Sequence, residues 1–214
     1  STLLSPTMGQ PPLLTKAKKP KTARNYNMIE GKNIKIVFVG DSFVDQKGYI
    51  FNVMGIPLEE RANAGVAIVT EVPSTKICGA TCMLQVTDGA SDYDRVRPLA
   101  YAQADLFVLM YSSESKSSFD AVTTKWNKEV NHHALGVPKV LLGIGPRSEE
   151  ENKNADIVSV EDAKSLAAKL GGVTGAFFAK KDDEDEAKAS IKEILGHFDG
   201  IMKAHLRSST CKKK

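Results

Sequence analysis

The sequence lacks the features that would place it in a membrane, outside the cell or on nucleic acid. No apolar run among its 214 residues is long enough to cross a bilayer, and none has the layout of a secretory signal. The three cysteines are odd in number and lack zinc-finger spacing, so we interpret them as reduced thiols. The net charge is only +3 and lies mainly at the ends, which disfavours a nucleic-acid surface across the fold. We therefore expect a cytoplasmic protein.

The composition favours one folded domain with polar ends. A chain with 42% hydrophobic residues can bury one sizeable core at this length. Residues 1–32 combine proline, lysine and polar residues without a sustained period, which predicts a flexible basic arm. A solvated tail and a partner-binding arm are both open for it. We expect the folded domain over 33–206 and a basic tail over 207–214, with membrane association at most peripheral through these ends.

Apolar runs alternate with helical stretches from residue 33 onward. Near-continuous apolar strands of this kind predict a mostly parallel sheet with helices on both faces. The second and third runs are expected to form a hairpin that turns around residues 73–75, giving an antiparallel edge. The apolar runs are 34–40, 65–72, 76–86, 105–112, 139–145 and 173–179, and the predicted helices are at about 118–133, 160–170 and 184–206.

The stretch "VFVGDSFVDQKGYIF", residues 37–51, begins as a phosphate-binding loop does. In the frame G-x-x-x-x-G-K-[ST], backbone N–H groups wrap the phosphates, the lysine reaches the outer phosphates and the hydroxyl holds Mg²⁺. Counted from Gly40, the second glycine falls on Asp45, the lysine on Gln46 and the hydroxyl on Lys47. Asp45 adds a Cβ and a negative charge where phosphates approach. Taken alone, the stretch favours an ordinary strand-to-helix turn.

Three segments carry a resemblance to a known family. "SDYDRVRPLAYAQADLFVLMYS", "SFDAVTTKWNKEVNHH" and "VPKVLLG" resemble the middle of a Rho-family small GTPase, and the similarity extends over about residues 33–200. It implies a small-GTPase-like (P-loop NTPase) α/β fold, with a mostly parallel six-stranded sheet, one antiparallel edge strand and five helices. GTP and Mg²⁺ would lie at the carboxyl ends of the strands, where open α/β sheets bind ligands on general grounds.

The family's catalytic positions differ in this chain. Its Asp-x-x-Gly element, which supports Mg²⁺, falls on Val86 and Gly89, so only the glycine is kept. Asp88 lies two residues after the metal position and is not expected to replace it. The family glutamine that orients the attacking water falls on Ala90, which has no side-chain donor or acceptor for that task. The resemblance therefore predicts no hydrolysis by the family mechanism.

The positions that read the guanine base also differ. The family's Thr/Asn-Lys-x-Asp element lands on "IGPR", which puts Gly145 at the lysine and Arg147 at the carboxylate. A guanidinium offers only donors to a base edge that also offers donors, so pairing becomes repulsion. The later Ser-Ala loop matches Ala179 and Lys180.

Two hypotheses for function follow. The first is a pseudoGTPase, not an enzyme and without a cofactor, that acts through protein contacts with Rho regulators, effectors or a larger assembly in cytoskeletal signalling. The alternative is a divergent small GTPase that holds GTP or GDP with Mg²⁺ weakly and acts as a switch. The first is favoured because losses occur in every chemical element. The degenerate pocket positions are Gly40, Asp45, Gln46, Lys47, Val86, Gly89, Ala90, Gly145, Arg147, Ala179 and Lys180.

Other conspicuous residues receive structural interpretations. His132 and His133 are adjacent and cannot face one metal site from a helix. The acidic run 182–186 is expected to complement a helix dipole. Cys211 matches the family's prenylated position, but lysines replace the apolar residues that should follow, so we expect no prenyl anchor. Trp126 is expected to be packed against the fold.

Overall fold

The structure is a computed structural model that describes residues 29–57, 60, 69–71, 75–77, 80–145 and 157–211. Most of the predicted basic arm and the three final lysines lie outside these residues. The division of the chain into arm, domain and tail therefore stays a prediction. The described chain begins at Ile29, whose N–H donates to Asp199 Oδ1 at 3.3 Å.

The centre of the fold is a sheet of five parallel strands. They are rich in β-branched and aromatic residues and are buried along most of their length, as a sheet covered on both faces requires. In spatial order the parallel strands are β4, β1, β5, β6 and β7, and two short strands, β2 and β3, pair antiparallel to β4 at the edge. The bounds are β1 Asn33–Val39, β2 Val69–Glu71, β3 Thr75–Ile77, β4 Ala80–Thr87, β5 Leu106–Ser112, β6 Lys139–Ile144 and β7 Val173–Ala179.

The antiparallel edge differs from the prediction. Six strands with one antiparallel edge strand is wrong, because the sheet has five parallel strands and two separate three-residue segments at its edge. Ile77 pairs with Ala80, so the chain reverses there and not around residues 73–75. Val69 pairs with Thr87, and the register of the two segments against β4 differs by one residue. Pro73, between them in sequence, has no N–H for a ladder.

Helices cover both faces of the sheet. Ser159 begins one of them with a capping box, in which its hydroxyl accepts from the backbone N–H of Asp162 at 3.1 Å. The predicted helix at 118–133 is interrupted by a π-helical turn, and the last helix runs five residues past its predicted end at 206. The helices are α1 Gln46–Met54, α2 Lys116–Ala121, α3 Asn127–His133, α4 Val160–Lys169 and α5 Glu184–Cys211, with the π turn at Val122–Trp126.

The core has two halves, one on each face of the sheet. The alternation along β1 sends Phe38 into the half under α1 and α5, and Val37 into the half under the other helices. Trp126 is fully buried in the second half, which confirms that it is a packing residue. Within the described residues, no helix has the length and apolarity needed to span a membrane.

Candidate functional site

The candidate phosphate loop has the strand–loop–helix order that its motif predicts. After β1, the chain passes Gly40, makes a short 3₁₀ turn over Ser42–Val44 and enters α1 at Gln46. Asp45, at the second glycine position, lies in the left-handed region with φ 58° and ψ 49°. Aspartate is one of the few residues other than glycine that adopt this region. The side chain has therefore changed while the strand–loop–helix geometry is retained.

The Asp45 carboxylate covers the start of α1. Its Oδ1 accepts from the backbone N–H of Gly48 at 3.0 Å, which is the contact of a helix N-cap. A Cβ on Gly48 would lie 2.3 Å from Asp45 Oδ2, so a glycine at this position leaves room for the carboxylate. The end of a helix that favours anions thus already has a carboxylate beside it.

Gln46 takes the lysine position and is directed back across the loop. It is 4% exposed, and its Nε2 donates to the Asp41 carbonyl oxygen at 3.1 Å. A Cβ on Gly40 would lie 2.6 Å from the Met110 carbonyl oxygen and 3.2 Å from Gln46 Nε2, so the first glycine of the frame is required sterically. The site keeps a side-chain donor at the lysine position but loses its positive charge.

A cavity of about 180 Å³ opens beside the loop and brings several predicted positions together. Two carboxylates, of Asp45 and Asp88, and one cation, Lys47, lie on its wall. Sequence spacing had excluded Asp88 as a substitute at the metal position, but Asp88 lines the same cavity as the buried Val86. The lining residues are Ser42, Asp45, Gln46, Lys47, Val86, Thr87 and Asp88.

The segment after β4 lies directly against the phosphate loop. A Cβ on Gly89 would lie 2.2 Å from the Gly40 carbonyl oxygen, so only glycine permits this approach. Ala90 has no polar side chain, and its backbone is held from both sides. Its N–H donates to Asp88 Oδ1 at 2.9 Å, and its carbonyl oxygen accepts from Arg97 Nη2 at 2.7 Å.

Arg97 anchors this segment from beneath. The side chain is fully buried, and its Nε donates to the Asp88 carbonyl oxygen at 2.7 Å. Its Nη1 pairs with Glu129 Oε2 at 2.9 Å, and the same carboxylate accepts from the Tyr101 hydroxyl at 2.6 Å. Burial raises the pKa of Tyr101, and its hydrogen bond to Glu129 raises this pKa further. The sequence motif containing Arg97 carried the family resemblance but did not indicate this anchoring role.

Trp126 connects the same network to the phosphate loop. Its indole Nε1 donates to Asp41 Oδ1 at 3.0 Å, and the guanidinium of Arg97 lies 4.9 Å from the ring centre. Lys125 Nζ lies 4.3 Å from the ring centre as well. The hydrogen bond joins the phosphate loop to the π turn at Val122–Trp126, and the two cation–π contacts hold the Trp126 ring between Arg97 and Lys125.

Two positions that match the family's guanine-reading residues, Gly145 and Ala179, lie next to each other at the carboxyl ends of β6 and β7. The Gly145 N–H donates to the Ala179 carbonyl oxygen at 3.1 Å, and Lys180 follows as an exposed residue. Gly145 has φ +125°, and a Cβ on it would lie 2.6 Å from Ser113 Oγ. A lysine here would therefore need a rearranged backbone. Arg147 lies outside the described residues.

The residues at this site can be compared with what a phosphate group and Mg²⁺ each require. Two N–H groups of the loop are engaged within the protein, since Val44 donates to the Asp41 carbonyl oxygen and Gly48 donates to the Asp45 carboxylate. The start of α1 after Asp45 is a place where backbone N–H groups favour an anion. Carboxylate and hydroxyl oxygens, which Mg²⁺ prefers, come from Asp45, Asp88 and Ser42 on the cavity wall. Within the described residues, no group of three or more His, Cys, Asp or Glu side chains is arranged to hold a metal without further ligands.

Comparison with known proteins places this geometry in a family. The pattern of the Ras family matches residues 35–190. The chain is 32% identical over 168 residues to the Ras-like GTP-binding protein RHO1 of Entamoeba histolytica, covering 77% of this chain and 74% of that protein. It is 31% identical over 171 residues to the GTP-binding protein RHO4 of Saccharomyces cerevisiae, covering 79% of this chain but only 57% of that protein. The match thus spans less than two thirds of the yeast relative.

These matches correct two predictions. The expectations that the protein is not an enzyme and has no cofactor are wrong, because its relatives are small GTPases and both carry the name of GTP-binding proteins. Of the two function hypotheses, the matches favour the divergent GTPase over the pseudoGTPase. The chain belongs to the Ras family and, within it, to the Rho-like small GTPases.

Proposed function

We propose that this protein is a divergent Rho-like GTPase that binds guanine nucleotide weakly, hydrolyses GTP slowly and acts as a signalling switch through protein partners. The observation that supports the proposal is the left-handed Asp45, which occupies at the second glycine position a backbone region that glycine favours. Phosphate loops bind mainly through backbone N–H groups, and these depend on the path of the chain more than on its side chains.

The binding is proposed to be weak because the charges around the loop oppose a phosphate. The neutral Gln46 stands where the family has a cation, and the Asp45 carboxylate lies at the start of α1. Losing one charge-assisted contact costs about 1.5–3 kcal/mol, and each 1.4 kcal/mol is about tenfold in Kd. Three such effects are present in the sequence: the lost cation at Gln46, the added Asp45 carboxylate and the missing base carboxylate at Arg147. Taken as additive, they total about 4.5–9 kcal/mol and would move a nanomolar Kd to the micromolar-to-millimolar range.

Magnesium, if bound with the nucleotide, would supply positive charge that balances the phosphates. We propose that Asp88 and the Ser42 hydroxyl hold it, since both line the cavity beside the loop. Lys47 lines the same cavity and supplies a positive charge toward the phosphates. Hydrolysis is proposed to be slow because Ala90 lacks the side-chain amide with which the family's glutamine orients the attacking water.

The proposed protein partners, regulators or effectors of Rho proteins, would meet an apolar surface beside this site. Leu99 is 76% exposed and Val96 is 41% exposed, both near the buried Arg97 that anchors their segment. Phe43, in the phosphate loop itself, is 60% exposed. Phe43 directly follows Ser42, which lines the cavity, so a partner that contacts Phe43 would lie beside a bound nucleotide.

Asp45→Asn tests the nucleotide proposal. Asparagine tolerates the left-handed region and caps helices, so the variant removes one charge while keeping the loop conformation. We expect GDP with Mg²⁺ to bind the variant about tenfold tighter than the parent, a gain of about 1.4 kcal/mol. Thermal melts with increasing GDP measure this, because a ligand of the native state raises the melting temperature.

Asp183→Asn is the matched control. Asp183 caps α5 as Asp45 caps α1, accepting from the Glu186 N–H at 2.9 Å. The start of α5 lies near Gly55, at the far end of α1 from the phosphate loop. This variant should leave GDP binding unchanged. If Asp45→Asn and Asp183→Asn respond alike to GDP, the carboxylate at Asp45 does not face a phosphate and the proposed binding mode is wrong.

A further inference from the structure

Lys139 is a buried lysine at the amino-terminal ends of the parallel strands, whereas the phosphate loop lies at their carboxyl ends. It is the first residue of β6, whereas the phosphate loop follows the last residue of the parallel strand β1. The residue is 1% exposed, and its Nζ donates to Asn131 Oδ1 at 2.7 Å. This partner is a neutral amide, so it does not balance the charge.

No described carboxylate lies within ion-pair distance of Lys139 Nζ. Burial lowers the pKa of Lys139, and an ammonium buried without a counter-ion is unfavourable. The Lys139 ammonium fits here because residue 172 is a glycine. A Cβ on Gly172 would lie 2.7 Å from Lys139 Nζ. The ammonium is thus desolvated in a place where the protein itself supplies no anion.

A cavity of about 330 Å³ lies against this lysine, within the size range of small-molecule sites. Most of its wall is apolar, and two of its few polar side chains, Lys139 and Asn131, are in contact with each other. Leu135, one of the lining residues, is 84% exposed. The lining includes the polar residues Lys139, Asn131 and Thr174 and the apolar residues Leu135, Val137 and Ile201.

We propose that this cavity binds a small monocarboxylate with an apolar chain, whose carboxylate pairs with the Lys139 ammonium. One buried cation balances one negative charge, which favours a monocarboxylate over a doubly charged phosphate monoester. The apolar chain would cover Val137, Ile201 and the exposed Leu135. The inference is independent of the nucleotide proposal, because the two cavities share no lining residue and lie at opposite ends of the parallel strands.

Titration of the ¹⁵N-labelled full chain with octanoate tests the proposal. We expect saturable shifts of the Gly171 and Gly172 amides below about 10 mM octanoate. The amides of the phosphate loop at 40–47 serve as an internal control and should not move. Octanol and octyl phosphate form the comparison arms, and both should bind at least tenfold more weakly than octanoate.

Lys139→Met separates charge pairing from a merely apolar cavity. A buried cation without a counter-ion can be replaced by an apolar side chain with little loss of stability or with a gain, so this variant should fold. It should bind octanoate at least tenfold more weakly, whereas Lys169→Met, at an exposed lysine on the last turn of α4, should bind it normally. Absence of shifts at about 10 mM, equal binding by Lys139→Met, or tighter binding of octanol or octyl phosphate would each overturn the proposal.

Discussion

Arg97→Met should be one of the most damaging single substitutions in this protein. The fully buried guanidinium pairs with Glu129, whose side chain is 15% exposed, and also donates to the carbonyl oxygens of Asp88 and Ala90. Methionine fills much of the same volume but removes the guanidinium donors to all three groups, leaving Glu129 with the Tyr101 hydroxyl and Ala90 with the Tyr93 N–H as donors. Breaking a buried ion pair by removing one partner costs about 3–5 kcal/mol. Since Glu129 retains some solvent contact, we expect the free energy of unfolding to fall by about 3 kcal/mol.

Urea denaturation measures this loss directly. Trp126 is the only tryptophan, and its ring lies 4.9 Å from the guanidinium, so its fluorescence reports on the affected region. Circular dichroism should give the same midpoint if unfolding is two-state. The matched control is Lys116→Met, which breaks the exposed pair with Asp120 at 3.7 Å and should cost less than about 0.5 kcal/mol. A loss below about 1 kcal/mol for Arg97→Met would refute the anchoring role, because ordinary substitutions already reach that size.

Two further variants test other parts of the account. Trp126→Phe keeps most of the packing but removes the Nε1 donor to Asp41. We expect the free energy of unfolding to fall by about 1–2 kcal/mol, measured by urea denaturation with circular dichroism. An unchanged midpoint would mean that this hydrogen bond does not stabilise the loop. Tyr49 is buried, and burial raises its pKa, so the stability it contributes is complete below its unfolded pKa near about 10 and falls as pH rises above that value. Tyr49→Phe should therefore flatten the alkaline fall in stability, and an equally steep fall in the variant would contradict this assignment.

The parallel strands β1, β5, β6 and β7 could be predicted because each lies within one near-continuous apolar run. The predicted run 76–86 instead spans two strands, β3 and β4, which pair with each other. The antiparallel edge could not be predicted, because it depends on how β2 and β3 align against β4. Val69 and Ile77 both pair with that strand, at registers that differ by one residue. A register is a property of two strands together, and a single run of residues does not report it.

Less of the nucleotide site could be predicted, because a sequence motif compares side chains and does not report backbone geometry. The motif treats Asp45 as the loss of a glycine, whereas aspartate is enriched in the left-handed region that Asp45 occupies. Spacing separates Asp88 from the metal position, whereas the end of β4 brings it to the same cavity as Val86. The part of a phosphate loop that contacts the ligand most is its backbone, and residue letters give little information about backbone path.

Calorimetric titration of the purified parent protein with GDP and GTP in the presence of Mg²⁺ shows whether this divergent loop holds guanine nucleotide. We expect saturable, one-to-one binding of both, with Kd values of about 10 μM to 1 mM. Absence of binding heat for both nucleotides at about 5 mM, with no gain in melting temperature, would contradict it.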